Sequence, residues 1–150
     1  MSKKKGIAKA SRKGIVIDSS IAIAWCFHDE KDDYSQAILD ALATEAAFVP
    51  ALWHLEVANT LVVGERRKRS TQADTATWLG FLAALPIAID EDTMIHAFAD
   101  TIHLARRYNL SAYDAAYLEL AMRRDLPLAT LDEKLKTAAE ASGTMLYATR

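Results

Sequence analysis

Five short apolar runs, rich in β-branched residues and separated by stretches of helical periodicity, constrain this chain more than any other feature. The runs are Gly14-Ile15-Val16-Ile17, Phe48-Val49-Pro50, Ile87-Ala88-Ile89, residues 128–131 and residues 144–147. Between them the apolar spacing and the capping residues predict helices over about 21–27, 32–46, 51–69, 71–85, 90–108, 111–125 and 132–141. Strands alternating with helices imply an α/β fold with a parallel, doubly wound sheet. A chain of 150 residues is the size of one domain, so one compact core is expected.

Composition excludes several classes. Apolar residues make up 51% and charged residues 25%, which argues for a globular protein and against disorder. The apolar stretch from Trp78 to Ile89 is interrupted by Gly80 and Pro86 and is shorter than the roughly 20 residues needed to cross a bilayer. Residues 1–13 are basic and lack the apolar stretch of a secretory signal, so a cytoplasmic protein with no membrane partner is expected. Cys26 stands alone and reads as a small buried hydrophobe.

The net charge of −2 hides an asymmetry. Residues 1–13 hold Lys3, Lys4, Lys5, Lys9, Arg12 and Lys13 and no acid, leaving 12 basic and 20 acidic groups, a net of −8, on residues 14–150. The sequence therefore divides into a basic tail, expected to be disordered, and an acidic domain. A second basic cluster, Arg66-Arg67-Lys68-Arg69, closes a predicted helix; a solvated helix end and a phosphate-binding patch are equally good accounts of it.

Four of the acids lie in apolar surroundings: Asp18 after the first strand, Glu56 between Leu55 and Val57, Asp114 within Ser111-Ala112-Tyr113-Asp114, and Asp132 after Thr130-Leu131. Stripping water from an unpaired carboxylate costs several kcal/mol or more. Taken singly, three have a structural explanation: Asp18 and Asp132 can cap helices, and Ser111-x-x-Asp114 has capping-box spacing. Glu56 is mid-helix, on the face of Leu52 and Asn59, with no Lys or Arg three or four positions away. In open α/β sheets ligands bind beyond the carboxyl ends of the strands, where Asp18 and Asp132 both emerge and the helices bearing Glu56 and Asp114 begin.

Two carboxylates about 4 Å apart repel by roughly 4 kcal/mol at an effective dielectric of 20, and a hard divalent cation removes that cost. An all-oxygen donor set suits Mg²⁺ or Mn²⁺ acting on a phosphate ester. His96 and His103, seven apart, lack the context of a zinc site and are expected to be partly buried structural groups. No glycine-rich phosphate loop or nucleophile elbow is present.

Four stretches together resemble the PIN-domain ribonucleases, specifically VapC-type toxins of bacterial toxin-antitoxin pairs. They are Ile15-Val16-Ile17-Asp18-Ser19-Ser20, Glu56-Val57-Ala58-Asn59-Thr60-Leu61, residues 110–118 around Asp114, and Leu128-Ala129-Thr130-Leu131-Asp132. The resemblance extends over nearly everything after residue 13. It implies a PIN-like three-layer sandwich, a mostly parallel sheet of about five strands flanked by helices. It implies that Asp18, Glu56, Asp114 and Asp132 form an acidic site for Mg²⁺ or Mn²⁺, with Thr130, Asn59 and Ser20 in support, and endonucleolytic cleavage of RNA. A homodimer and a cognate antitoxin that covers the site are also implied. Thirteen residues precede the first strand, more than is usual in the family.

Two other functions compete with the ribonuclease. A noncatalytic PIN-like binding module would need none of the four acids together. A metal-dependent phosphatase usually carries an acid two residues after the first Asp, and position 20 is Ser.

Overall fold

The computed structural model describes residues 14–27, 29 and 32–148; the basic tail at 1–13 lies outside the described residues. Its elements in chain order are β1 (Gly14–Ile17), α1 (Ser19–Cys26), α2 (Asp33–Ala41), β2 (Ala46–Pro50), α3 (Trp53–Arg66) and α4 (Gln72–Ala83). They continue as β3 (Ile87–Asp90), α5 (Thr93–His96), a π-helical turn over Ala97–Thr101, α6 (Ile102–Tyr108), α7 (Ala112–Arg124), β4 (Leu128–Ala129) and α8 (Glu133–Ser142). The sheet runs β3-β2-β1-β4 and every pairing is parallel, so helices make the crossovers.

Burial follows position in the sheet. β1, paired on both sides, is buried throughout, whereas the edge strand β3 exposes Ala88 and Ile89. α7 packs against β1, β2 and β4 and is buried from Ala115 to Ala121, with α6 and α8 lying on it; α1 packs with α2 and α3. Ile15, Ile17, Val49, Tyr117, Leu118, Leu120 and Leu128 are among the fully buried side chains of the core. No helix is long and apolar enough to cross a membrane, among the described residues.

Three expectations change. The fifth strand reduces to one parallel bridge, Leu128 with Leu146, because β4 offers only two residues to pair with. β4 ends early because backbone N–H groups just beyond it go to side chains: Leu131 N donates to Ser20 Oγ and Asp132 N to Thr130 Oγ1, both at 3.0 Å. The helix expected to about residue 46 stops at Ala41, since Ala46 and Ala47 pair with Gly14 and Ile15 as the start of β2.

The single helix expected over 90–108 is broken into α5, the π turn and α6. Thr93, His96 and Ala97 face inward, and unbroken α periodicity would bring Asp100 into the same stripe. A kink at Ala99, whose φ of −115° and ψ of −107° are not helical, resets the phase, so the inward face resumes at Thr101, Leu104, Ala105 and Tyr108 while Asp100 stays in water. His96 is partly buried, as expected, but His103 is exposed.

Candidate functional site

Strand register assembles the centre of the site. Ile17 pairs with Ala129, and Asp18 N donates to Ala129 O at 3.2 Å, so Asp18 and Thr130 leave adjacent parallel strands side by side. Thr130 Oγ1 donates a short hydrogen bond to one Asp18 oxygen and Ser20 Oγ donates to the other at 2.5 Å. Both hydroxyls also accept the backbone N–H groups that end β4. Asp18 occupies the N-cap position of α1 but makes no capping hydrogen bond with its side chain. It is 5% exposed. Burial raises its carboxyl to about 6, against the opposing hydrogen bonds from Ser20 and Thr130, and the Asp114 charge adds to the rise.

Asp114 lies in the first turn of α7, where Ser111 caps by accepting the Asp114 N–H at 3.1 Å. Thr71 and Asp74 form a full reciprocal capping box at α4; Ser111 and Asp114 form only half of one, leaving the Asp114 carboxylate to face the other acids. Burial pushes Asp114 upward, the Asp132 charge adds to that, and Ser111 and Lys134 oppose it. Glu56, in the first turn of α3, is raised by burial and by the Asp114 charge. Asp132 is exposed and caps α8, accepting Leu135 N at 2.8 Å. The four acids thus share one field, with Asp114 in electrostatic contact with each of the other three.

One residue of this cluster escapes a reading of the sequence. Tyr117, 1% exposed in α7, donates a short hydrogen bond to Glu56 Oε1, supplying from another helix the partner that Glu56 lacks in its own. Burial, then the Glu56 contact, drives the Tyr117 hydroxyl far above its ordinary range, so it remains a donor at any working pH. The available signal is its place three residues after Asp114, on the same helical face. Asn59, on α3, is exposed and bonds to none of the acids.

No Arg or Lys makes an ion pair with any of the four acids, among the described residues. Lys134, in the first turn of α8, is the cation that acts on Asp114 through space. No three of the four acids bring ligand atoms within 4.8 Å of one another; the described residues that do are His96, Asp100 and Glu119. In that second group, however, Glu119 is already held by Arg123, whose Nε and Nη2 reach its two oxygens at 2.7 and 3.0 Å. Arg123 also grips the buried Asp90 at 2.6 Å, so this is an ion-pair hub whose guanidinium opposes a cation. Cys26 is buried and its thiol is pushed up to about 11 by burial, which makes it inert.

A family model described as PIN domain matches residues 15–141. The chain belongs to the PIN domain family. Several solved structures share its fold at low identity. PAE2754 from Pyrobaculum aerophilum superposes with a TM-score of 0.63 and 21% identity, over 85% of this chain and 86% of that one. VapBC2 from Rickettsia felis, bound to a DNA fragment from its promoter, gives 0.60 and 12%, over 91% and 99%. VapC20 from Mycobacterium tuberculosis, a sarcin-ricin loop cleaving toxin, gives 0.59 and 12%, again over 91% and 99%. No curated protein matches the chain.

Proposed function

We propose that this PIN domain is a Mg²⁺- or Mn²⁺-dependent endoribonuclease and the toxin of a toxin-antitoxin pair, acting as a homodimer and inhibited by a cognate antitoxin. The observation that carries the reading is a field of four carboxylates with three of them pushed toward their neutral forms and none ion-paired among the described residues. A structural cluster would be expected to recruit a guanidinium, as Asp90 and Glu119 do with Arg123. The donor set fits a hard cation: it is all oxygen, and its openness leaves room for the waters that Mg²⁺ retains. The likeness in fold to VapC20, a sarcin-ricin loop cleaving toxin, supports the reading.

Asp18 and Asp114 are the ligands proposed first, with Glu56 and Asp132 completing the set. A divalent ion bound there supplies a nucleophile from water at neutral pH and neutralises charge on the phosphodiester. The chain's own groups orient the acids. Ser20 and Thr130 fix both oxygens of Asp18, and Tyr117 fixes Glu56, so that each carboxylate has only its remaining lone pairs to offer. Lys134 is exposed and acts on Asp114 through space, which suits it to a substrate phosphate; the groove of about 360 Å³ that it lines with Tyr108, Glu133 and Thr137 includes none of the four acids.

Cleavage of a labelled RNA should vanish in EDTA and return with Mg²⁺ or Mn²⁺, and Asp114→Ala should remain inactive with metal restored while its circular dichroism matches the wild type. Undiminished cleavage in EDTA would sink the metal-dependent mechanism. Tyr117→Phe should lower cleavage by roughly 10- to 100-fold, the usual scale for removing an outer partner of a ligand, with a weaker Mg²⁺ affinity read by calorimetry. Unchanged metal affinity in Tyr117→Phe would reassign that hydroxyl to packing.

A further inference from the structure

The basic run that closes α3, Arg66-Arg67-Lys68-Arg69, divides into one residue that holds the turn and three that face water. Arg69 pairs with Asp29 at 3.0 Å and lies over the Phe27 ring, 4.4 Å from its centre. Its backbone N–H donates to Gly64 O at 2.9 Å, closing a Schellman turn. Arg66, Arg67 and Lys68 are exposed and make no ion pair among the described residues.

The negative end of the helix dipole accounts for only part of this charge. α6 and α7 each end in two cations, Arg106-Arg107 and Arg123-Arg124, as the dipole favours. α3 adds Lys68, just past its end and in the left-handed backbone conformation, with φ at 59°. The other left-handed helix ends carry Asn109, Asp125 and Gly143, the short residues that adopt this conformation most readily. A lysine there is strained, and its charge is set against the two arginines before it. Strain of this kind is found where a side chain has a use outside the fold.

The direction of α3 identifies the partner. Glu56 stands in its first turn, and Arg67, eleven residues later, returns to the same face about 16 Å along the axis. Exposed Asn59 lies between them. An RNA strand cut at the acidic cluster can follow this face to the cations, since single-strand sites span about 4–16 nucleotides. Such a strand needs a foothold, because residues 14–150 carry a net charge of −8 and the unfilled cluster repels phosphate. An acidic protein segment would match the cations but not their alignment with Glu56.

We propose that Arg66, Arg67 and Lys68 hold backbone phosphates of the RNA substrate a few nucleotides from the bond being cut. The proposal rests on the ribonuclease reading of the acidic cluster and adds to it a contact that positions RNA without reading its sequence.

Fluorescence anisotropy over a salt series tests it, with a labelled random-sequence RNA about 12 nucleotides long and Asp114→Ala as the background that leaves the RNA uncut. Adding Arg66→Gln/Arg67→Gln/Lys68→Gln should weaken binding about 10-fold or more. The slope of log K against log salt should become shallower by about 2, at roughly 0.7 per phosphate contact on a single strand. Glycine suits the left-handed backbone, so Lys68→Gly should raise the urea midpoint and still lower the slope; an unchanged slope takes Lys68 out of the contact. With the acids intact, the triple variant should raise KM for RNA about 10-fold and change kcat by less than about twofold. Unchanged affinity and slope in the triple variant overturn the contact and leave the cations to an acidic protein partner. The expected loss of slope in a protein that cuts no RNA would instead overturn the nuclease and leave the contact standing.

Discussion

Asp18→Asn should abolish RNA cleavage and yet leave the metal-free protein more stable to urea than the wild type at neutral pH. Activity should fall by roughly 10²–10³-fold or more, the scale for removing one electrostatic stabiliser of the transition state. The stability gain follows from proton linkage. Asp18 titrates at about 6 when folded and near 3.8 when unfolded, so the folded state holds its proton more tightly. Stability therefore falls as pH rises from about 4 to about 6, and the full cost of the charge is present above that window. At 1.36 kcal/mol per pKa unit the cost is roughly 3 kcal/mol. Asparagine carries no charge to desolvate, but its amide cannot accept both the Ser20 and Thr130 hydroxyls as a carboxylate does. The net gain expected from urea midpoints is about 1–3 kcal/mol.

The same experiment with Mg²⁺ reverses the ranking. A cation that binds only the folded state stabilises by an amount that grows with its concentration over its dissociation constant. Wild type should gain and Asp18→Asn should not. If Asp18→Asn is less stable than wild type without metal, the buried charge is compensated by something other than a cation, and the metal reading of the cluster loses its basis.

Arg123→Ala should be the most destabilising change away from the site. Its guanidinium contacts both oxygens of Asp90, which is 1% exposed, and both oxygens of the buried Glu119, tying β3 to α7. Truncating it leaves buried Glu119 without a guanidinium and Asp90 with only Arg124, at 3.9 Å, at a cost of about 3–5 kcal/mol at neutral pH. Burial alone would push Asp90 up, but the Arg123 and Thr93 hydrogen bonds and the Arg123 charge hold it below its ordinary value. Being depressed, Asp90 contributes stability above about pH 4 that is lost as pH falls through its folded value. The difference between wild type and Arg123→Ala should therefore shrink on acidification. Urea midpoints at neutral pH and at about pH 2 to 3, below the ordinary carboxylate range, read it; a difference that does not change with pH would place the loss in packing by the side-chain stem.

The two results divide the molecule's acids by what compensates them. Asp90 and Glu119 have a guanidinium supplied by the chain, and their worth is structural. Asp18, Glu56 and Asp114 have hydroxyl donors and one another. A lysine acts on Asp114 from a distance, without contact, so the field remains open to an external cation.

Sequence alone determined the alternation of strands and helices, the parallel sheet and the four acids, because each depends on neighbours within a few residues. Apolar period, Asp132 and Ser111 as caps and Pro86 as a stop act locally, and the structure repeats them. The family followed from the same local contexts. What only tertiary structure decided lies where distant segments compete for one group. β4 stops at Ala129 because Ser20, more than a hundred residues earlier, takes the N–H of Leu131. Asp18 forgoes its cap because Thr130 and Ser20 hold its oxygens. Glu56 finds its partner in Tyr117, and the helix after β3 breaks so that Asp100 can stay in water while Thr101 turns inward. Local spacing places a side chain on a face; only the register of strands 112 residues apart could put Thr130 against Asp18.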